Sequence, residues 1–307
     1  MSEQRKDGKI KRVKEMLFEA EKSLSLEYEK RFSNIRELAL YIVNSADKKE
    51  KPFSKIKELL SQDVEEFEFH KELLPENKHL ILRGISYLHN FDKVLLCENL
   101  IREWERSHNE PLLAEVLLDC AQFDSGYISY VKNKYSDHAF DELSPCIDEP
   151  RIVYAKNFVG VCEDVSHGFA TYGILPIATP DGDIEAVKRL LSAYELKICA
   201  VTDIRAEDGA LTKYALISDR LRFVFDAESR YFAFSLASGG ADSAEKMLEA
   251  FSIFGLNVCS VNLNSAYTGG YNSYFCIKEN NENLSKLLLY LSLFYPDFVV
   301  NGFYSEI

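Results

Sequence analysis

The chain is poor in the features that mark several protein classes. No apolar run approaches the roughly 18 residues needed to span a membrane, and the opening MSEQRKDGKIKR has no hydrophobic core of a secretory signal. No Cys-x-x-Cys pair occurs. The seven cysteines (97, 120, 146, 162, 199, 259 and 276) are scattered, the pattern of reduced thiols in a cytoplasmic protein. The six histidines all precede residue 168, and none is spaced to join another on one helix face as a metal pair. With only 14 glycines and 8 prolines in 307 residues, 47% of them hydrophobic, wholesale disorder is excluded. A basic stripe is missing too. The net charge is −13, with 21 Lys+Arg against 22 Asp+Glu in residues 1–110 and 15 against 27 in the remainder. A nucleic-acid binder needs the opposite sign over a broad surface, so neither nucleic acid nor membrane is an expected partner. Cys259 and Cys276 are expected on neighbouring strands, as small buried hydrophobes rather than a redox or metal pair.

What is present falls into three blocks. Residues 1–110 read as helix. Between Lys9 and Lys51 there is no Gly or Pro, and Ile10, Val13, Leu17, Ala20, Leu24, Tyr28, Phe32, Ile35, Ala39, Ile42 and Ala46 recur at steps of three and four. A helix of about 40 residues is about 60 Å long, so its apolar stripe needs a second helix, from this chain or another copy. Lys51-Pro52 stops it, a shorter helix follows over 53–69, and a third runs from Leu73-Leu74-Pro75-Glu76 towards Trp104.

From Pro111 to about Asp226, short apolar runs alternate with helical stretches. Strands are expected at Ala114–Asp119, Arg151–Ala155, Tyr172–Ile177, Leu196–Thr202 and Lys213–Ser218. Helices are expected at Tyr127–Tyr135, Phe158–His167 and Ile184–Tyr194. Such alternation indicates a largely parallel sheet with crossover helices. Residues 227–307 then read β-α-β-β-α-β, the split, ferredoxin-like arrangement, with a hairpin at Tyr267-Thr268-Gly269-Gly270. The expected class is α+β and multidomain: an all-α unit with one long helix (1–110), a single α/β lobe (111–226) and a βαββαβ unit (227–307).

This order of parts resembles the bifunctional chorismate mutase–prephenate dehydratases of phenylalanine biosynthesis. YGILPIATPDGDIEAVKRLLSAYELKI (Tyr172–Ile198) is similar to the family's tyrosine-glycine-valine-leucine-proline-isoleucine-glutamate-asparagine stretch with its following helix and strand. NFVGVCEDVSHGFA resembles the helix leading into it. LTKYALIS (Leu211–Ser218) is similar to the segment bearing the threonine-arginine-phenylalanine catalytic motif. SAEKMLEAFSIFGLNVCSVNLNSAYTGGYNSYFCIKE resembles an ACT domain, the family's amino-acid-sensing module. In the helical block the likeness is one of pattern, through NIRELALYIVNSADKKEKPFSKIKELL and LLPENKHLILRGISYLH.

The resemblance implies site residues and calls for no cofactor. For chorismate rearrangement it implies a cationic cage from Arg31, Arg36, Lys48, Lys57 and Glu58, gripping the substrate's carboxylates. The other explanation of these residues is a solvated, charged helix face. For dehydration it implies Thr212 as the catalytic threonine, followed by Lys213 and Tyr214 where the family has arginine and phenylalanine, and Ser125 in the first turn. Here Cys120–Asp124 lack the family's glycine, and Ala178-Thr179 replace glutamate-asparagine. Only DIRAEDGALT (Asp203–Thr212) stands where the family inserts a second lobe, so one wall of the substrate cleft is expected to be missing. In the ACT-like unit the corresponding ligand positions are Ser243, Ala244, Asn262 and Asn264, without the family's arginine and proline. The resemblance therefore implies a cytoplasmic homodimer or higher homo-oligomer that handles small carboxylates (chorismate, prephenate or an amino acid). Dehydratase catalysis is expected to be lost or impaired. The alternatives are a non-catalytic amino-acid sensor or a dimerisation protein.

Overall fold

The computed structural model describes residues 89–307, except 110, 113, 208, 223–229, 239–241, 266–270, 279–282 and 296, together with parts of a helix within residues 16–43. The chain divides into two compact units, Met1–Pro111 and Leu112–Ile307. Among the described residues, no helix is long and apolar enough to cross a membrane, and no group of three potential ligands could hold a metal ion.

In the first unit, the described residues of the N-terminal helix bury Ile35, Ala39 and Val43, at four-residue steps on one face. Phe32, expected on the same stripe, is 41% exposed, and Met16, Phe18 and Leu26 are more exposed still. Helix α1 (Asn90–His108) buries Val94, Leu96, Cys97, Leu100 and Ile101. It ends at Asn109, whose left-handed backbone (φ 55°) lets its N–H return to the Glu105 carbonyl. The helix expected over 53–69 and the start of the third lie outside the described residues.

The second unit is built on one ten-stranded sheet with helices on both faces. Its elements are α2 (Ala114–Leu117), β1 (Tyr127–Val131), α3 (Lys134–Leu143), β2 (Arg151–Ala155), α4 (Phe158–Ser166), β3 (Tyr172–Thr179), β4 (Gly182–Asp183), α5 (Glu185–Ala193), β5 (Lys197–Arg205) and β6 (Leu211–Ser218). They continue with β7 (Arg230–Ser238), α6 (Asp242–Phe254), β8 (Asn257–Ser265), β9 (Tyr271–Lys278), α7 (Leu284–Phe294) and β10 (Val299–Glu306). The strand order is β2-β1-β3-β6-β5-β10-β7-β9-β8, with β4 folded back on β3.

Two expected elements change type. The run AEVLLD forms a single helical turn, closed by the Leu118 N–H on the Ala114 carbonyl, and not a strand. Tyr127–Tyr135, expected as helix, is strand up to Val131. The helix begins only at Lys134, where the Asn133 side chain caps it by accepting from the Tyr135 and Ser136 N–H groups. YISYV holds two aromatic and two β-branched residues, and once Asn133 offers a cap the strand preference of that window wins.

The sheet is mixed where a largely parallel one is expected. Strands β1–β2, β1–β3 and β5–β10 pair in parallel, while β3–β6, β5–β6 and β7 with its neighbours are antiparallel. DIRAEDGALT is indeed a connection without a lobe. Strands β5 and β6 pair from Lys197–Ser218 to Arg205–Leu211, leaving a hairpin loop of residues 206–210. The last four strands follow the element order β7-α6-β8-β9-α7-β10 and lie in the spatial order β10-β7-β9-β8. The expected divide at residues 226–227 falls outside the described residues, and the strands on its two sides belong to the same sheet through β5–β10.

Side-chain alternation sorts the core into two layers. On one face Leu175, Ile177, Ala215, Ile217, Ile198 and Val201 pack beneath α4 and α5. On the other, Tyr172, Ile174, Tyr214, Leu216 and Ala200 pack against α3. This second face continues under α6, where Phe251 meets Phe234 and Phe275 edge-on. Beyond α5, the first face of β10-β7-β9-β8 opens into a cleft.

Candidate functional site: a cleft beside helix α5

The cleft has a volume of about 740 Å³. Its wall is the outer side of α5 with the β3–β4 turn, contributing Asp183, Glu185, Lys188, Arg189 and Ser192. Its floor is the open sheet face, with Ser260, Tyr274, Cys276, Ser235, Asn301 and Tyr304. Register explains why these meet. Ser260 is opposite Cys276 and Asn262 opposite Tyr274, so each pair shares a face, while Phe275 between them points to α6.

The wall is ion-paired. The Lys188 ammonium lies 2.5 Å from the Asp183 carboxylate and 4.3 Å from the centre of the Tyr274 ring, so it is held by charge and by the aromatic face together. Arg189 pairs with Glu185 one helical turn away at 3.6 Å, and the Asn262 amide donates to Asp183 at 3.4 Å. At the opposite rim Lys213 pairs with Glu306 and lies 3.7 Å from Asp203. The Tyr231 hydroxyl donates to Glu306 at 3.0 Å. Lys213 holds the Glu306 carboxyl below its usual range.

The floor is neutral and mostly half-buried. Burial pushes the Cys276 thiol up to about 11, with its sulfur 3.4 Å from the Tyr304 hydroxyl. Burial also raises the Tyr274 and Tyr304 phenols, so all three groups stay protonated at neutral pH. One donor stands out: the buried Asn301 Nδ2 has no hydrogen-bond partner. A buried donor without a partner costs free energy unless something fills the place.

The residues implied by family resemblance are dispersed. Thr212, Lys213 and Tyr214 are consecutive on a strand and so alternate between faces. Lys213 lines the cleft, whereas Tyr214 is buried in the opposite layer against α3, and Thr212 shares that side. Burial raises the Tyr214 phenol. Ser125 is exposed in the loop before β1. That loop lies at the edge of the sheet where Tyr172 and Ser218 sit, while Thr212 is near Ala178 at the other edge. Six strand steps make that about 20 Å. Ser125 and Thr212 therefore do not share a pocket within the chain.

Arg31 and Arg36 are also committed elsewhere. Arg31 pairs with Asp92, which is 2% exposed. Arg36 lies 3.4 Å from Glu103, which Arg106 also holds at 2.9 Å. A cavity of about 480 Å³ adjoins both arginines, with Phe32, Phe91 and Leu95. Lys48, Lys57 and Glu58 lie outside the described residues. Ser243 and Ala244 begin α6, with Ala244 buried, on the face opposite Asn262. Asn264 pairs in register with Asn272. Only Lys213, and Asn262 at the rim through Asp183, belong to the cleft. Asp183, Lys188, Tyr274 and Asn301 were missed, although Asn301, a polar residue inside the apolar run FVVNGFY, is visible as an oddity in the sequence.

No family model and no curated protein matches the chain. Among solved structures, its structural neighbours include prephenate dehydratases. The Streptococcus mutans prephenate dehydratase superposes with a TM-score of 0.49 at 15% identity, over 59% of this chain and 98% of that one. The Arthrobacter aurescens prephenate dehydratase, solved in complex with L-Phe, gives 0.46 at 12% identity over 58% and 90%. The quorum-quenching acylase GqqA gives 0.44 at 16% over 58% and 94%.

Proposed function

We propose that this chain is a ligand-binding relative of the chorismate mutase–prephenate dehydratases, serving aromatic amino-acid (L-phenylalanine) biosynthesis by binding a small pathway carboxylate, without dehydrating prephenate. One observation carries it: Thr212 and Lys213 project from opposite faces of β6, with only a hairpin loop at 206–210 to build any opposing wall. Dehydration needs a proton donor and carboxylate-binding cations around one substrate, in a site that excludes water. The division into helical, α/β and ACT-like parts, and a homodimeric state using the exposed apolar residues Met16, Phe18 and Leu26, belong to the same proposal.

The test is to incubate the full chain with prephenate at neutral pH, follow phenylpyruvate, and record the melting temperature with the same compound. The proposal expects no phenylpyruvate above buffer and a raised melting temperature. Turnover, or an unmoved melting temperature across chorismate, prephenate, phenylpyruvate and L-phenylalanine, overturns it.

A second possibility, chorismate rearrangement in the helical unit, rests on the cavity beside Arg31 and Arg36. It requires chorismate consumption that Arg31→Ala or Arg36→Ala abolishes without unfolding the chain. The carboxylate partners already on both arginines weigh against it.

A further inference from the structure

We propose that the outer edge of β2 is a self-complementary interface, at which a second copy of this chain pairs antiparallel about Val153. The contact is independent of the binding function. It is also distinct from the helical residues Met16, Phe18 and Leu26, which lie in the other unit.

The sheet ends in two edges, β2 and β8. A bulge between Val258 and Ser260 breaks β8, a device that discourages edge pairing. On β2 the register with β1 runs from Arg151 to Ala155 without a shift, and no acid, lysine or proline interrupts the strand. Its exposed apolar residues share a face. Tyr154 meets Tyr130 edge-on, on the α3 side, and Ile152 two residues earlier points the same way. They are 51% and 42% exposed, so α3 leaves both uncovered.

The backbone selects the register. The Arg151 N–H donates to the Gly126 carbonyl just before β1, so Arg151, Val153 and Ala155 turn their backbone groups towards β1. Those of Ile152 and Tyr154 therefore point out of the sheet. A twofold axis at Val153 sets Ile152 of one copy against Tyr154 of the other, and the reverse. Each couple exchanges both N–H···O=C bonds and packs isoleucine on tyrosine across the strands. An axis at Arg151 would set Ile152 against Pro150, which has no N–H, and an axis at Ala155 would set Tyr154 against Lys156.

Charge agrees with the same arrangement. Exposed Asp148 and Glu149 precede the strand, and exposed Lys156 follows it. Glu149 lies 3.9 Å from Arg151 of its own copy. Among the described residues neither Asp148 nor Lys156 has an ion-pair partner within the chain. Antiparallel pairing brings the acidic end of each copy to the lysine of the other. The cleft floor belongs to the strands at the far end of the sheet, so both clefts stay open.

The experiment measures the mass of the full chain by analytical ultracentrifugation over a concentration series, for wild type and Ile152→Pro, and adds disulfide trapping of Val153→Cys. Proline at 152 removes an outward N–H and keeps the bonds to β1, a place where edge strands tolerate it. It is expected to weaken self-association at least about tenfold, with an unchanged circular dichroism spectrum. In Val153→Cys the two introduced thiols face each other across the axis, with Cα atoms about 4.5 Å apart, inside the disulfide range of about 4.4–6.8 Å. Copper phenanthroline should link this variant into a covalent dimer beyond the wild-type background, since no native cysteine lies on β2. Ala155→Cys, about 14 Å from its counterpart, should not link. A wild type that stays monomeric overturns the proposal, and so does a Val153→Cys chain that links no more than Ala155→Cys. A folded Ile152→Pro chain that associates as wild type does also overturns it, and moves the association to another surface. If Ile152→Pro fails to fold, the two cysteine variants decide.

Discussion

Gly302 is where the sheet of the α/β half is joined to the last four strands, and adding one methyl there tests that join. It sits at an irregularity of β10, opposite Ile198 of β5. A Cβ at Gly302 would stand 2.9 Å from both the Ile198 Cβ and the Ile198 carbonyl oxygen, and 3.0 Å from Cδ1 of Tyr304. Ordinary contacts between such atoms are about 3.5–4.0 Å. Two of the three neighbours are backbone or Cβ and cannot swing aside, so β10 must move from β5 by about half an ångström or more. Overpacking of this kind costs about 1–3 kcal/mol. For a unit of this size, Gly302→Ala should lower the melting temperature by about 4–8 °C if the cost is near 2 kcal/mol. Ile198 and Tyr304 also line the cleft, so ligand affinity should fall alongside. Thermal unfolding followed by circular dichroism reads the first effect and calorimetry the second. A melting temperature unchanged within about 1 °C would refute the close β5–β10 approach, and with it the continuity of the sheet.

Arg222 is 3% exposed. It donates to the Gln122 carbonyl at 2.7 Å, lies 2.9 Å from Asp124, and stacks 5.1 Å from the Tyr172 ring centre, pinning the segment before β1. Arg222→Met should cost about 2–3 kcal/mol in urea unfolding, chiefly by orphaning the Gln122 carbonyl, since Asp124 is largely exposed. An unchanged midpoint would contradict this. Glu306 gives a pH signature. Its carboxyl is depressed by Lys213, so the folded state gains from its ionisation above the ordinary carboxylate range and loses that gain as pH falls through the depressed value. Lys213→Met should therefore be less stable than wild type near pH 7, with the gap closing as pH drops below about 4. A gap constant from pH 3 to pH 8 would rule out the pairing.

How much of this was legible in the sequence depends on the range of the interactions. The β5–β6 hairpin was readable because the ten residues of DIRAEDGALT leave room only for a loop, and the β-α-β-β-α-β order because helix and strand periods alternate cleanly after Arg230. Tyr127–Tyr135 was misread because in its apolar part, YISYV, both periods find matches, and Asn133, inside the same stretch, starts the helix as a cap where the expectation ran helix straight through it. The single sheet was not readable. The β5–β10 pairing joins strands roughly 100 residues apart and depends on a close approach at Gly302. The same limit applies to the site. Lys213 could be placed by resemblance, but a cleft made by Lys188 on α5, Tyr274 on β9 and Asn301 on β10 exists only after folding. The alternation along β6, which separates Lys213 from Thr212 and Tyr214, follows from strand geometry alone once LTKYALIS is read as a strand.

The most direct measurement is phenylpyruvate formation from prephenate at neutral pH, with wild type and Thr212→Ala side by side at high protein concentration. With the threonine and the cleft on opposite sides of the sheet, both proteins should match buffer alone. A wild-type rate well above buffer that disappears in Thr212→Ala would show that a working pocket assembles around that threonine, and would contradict the account.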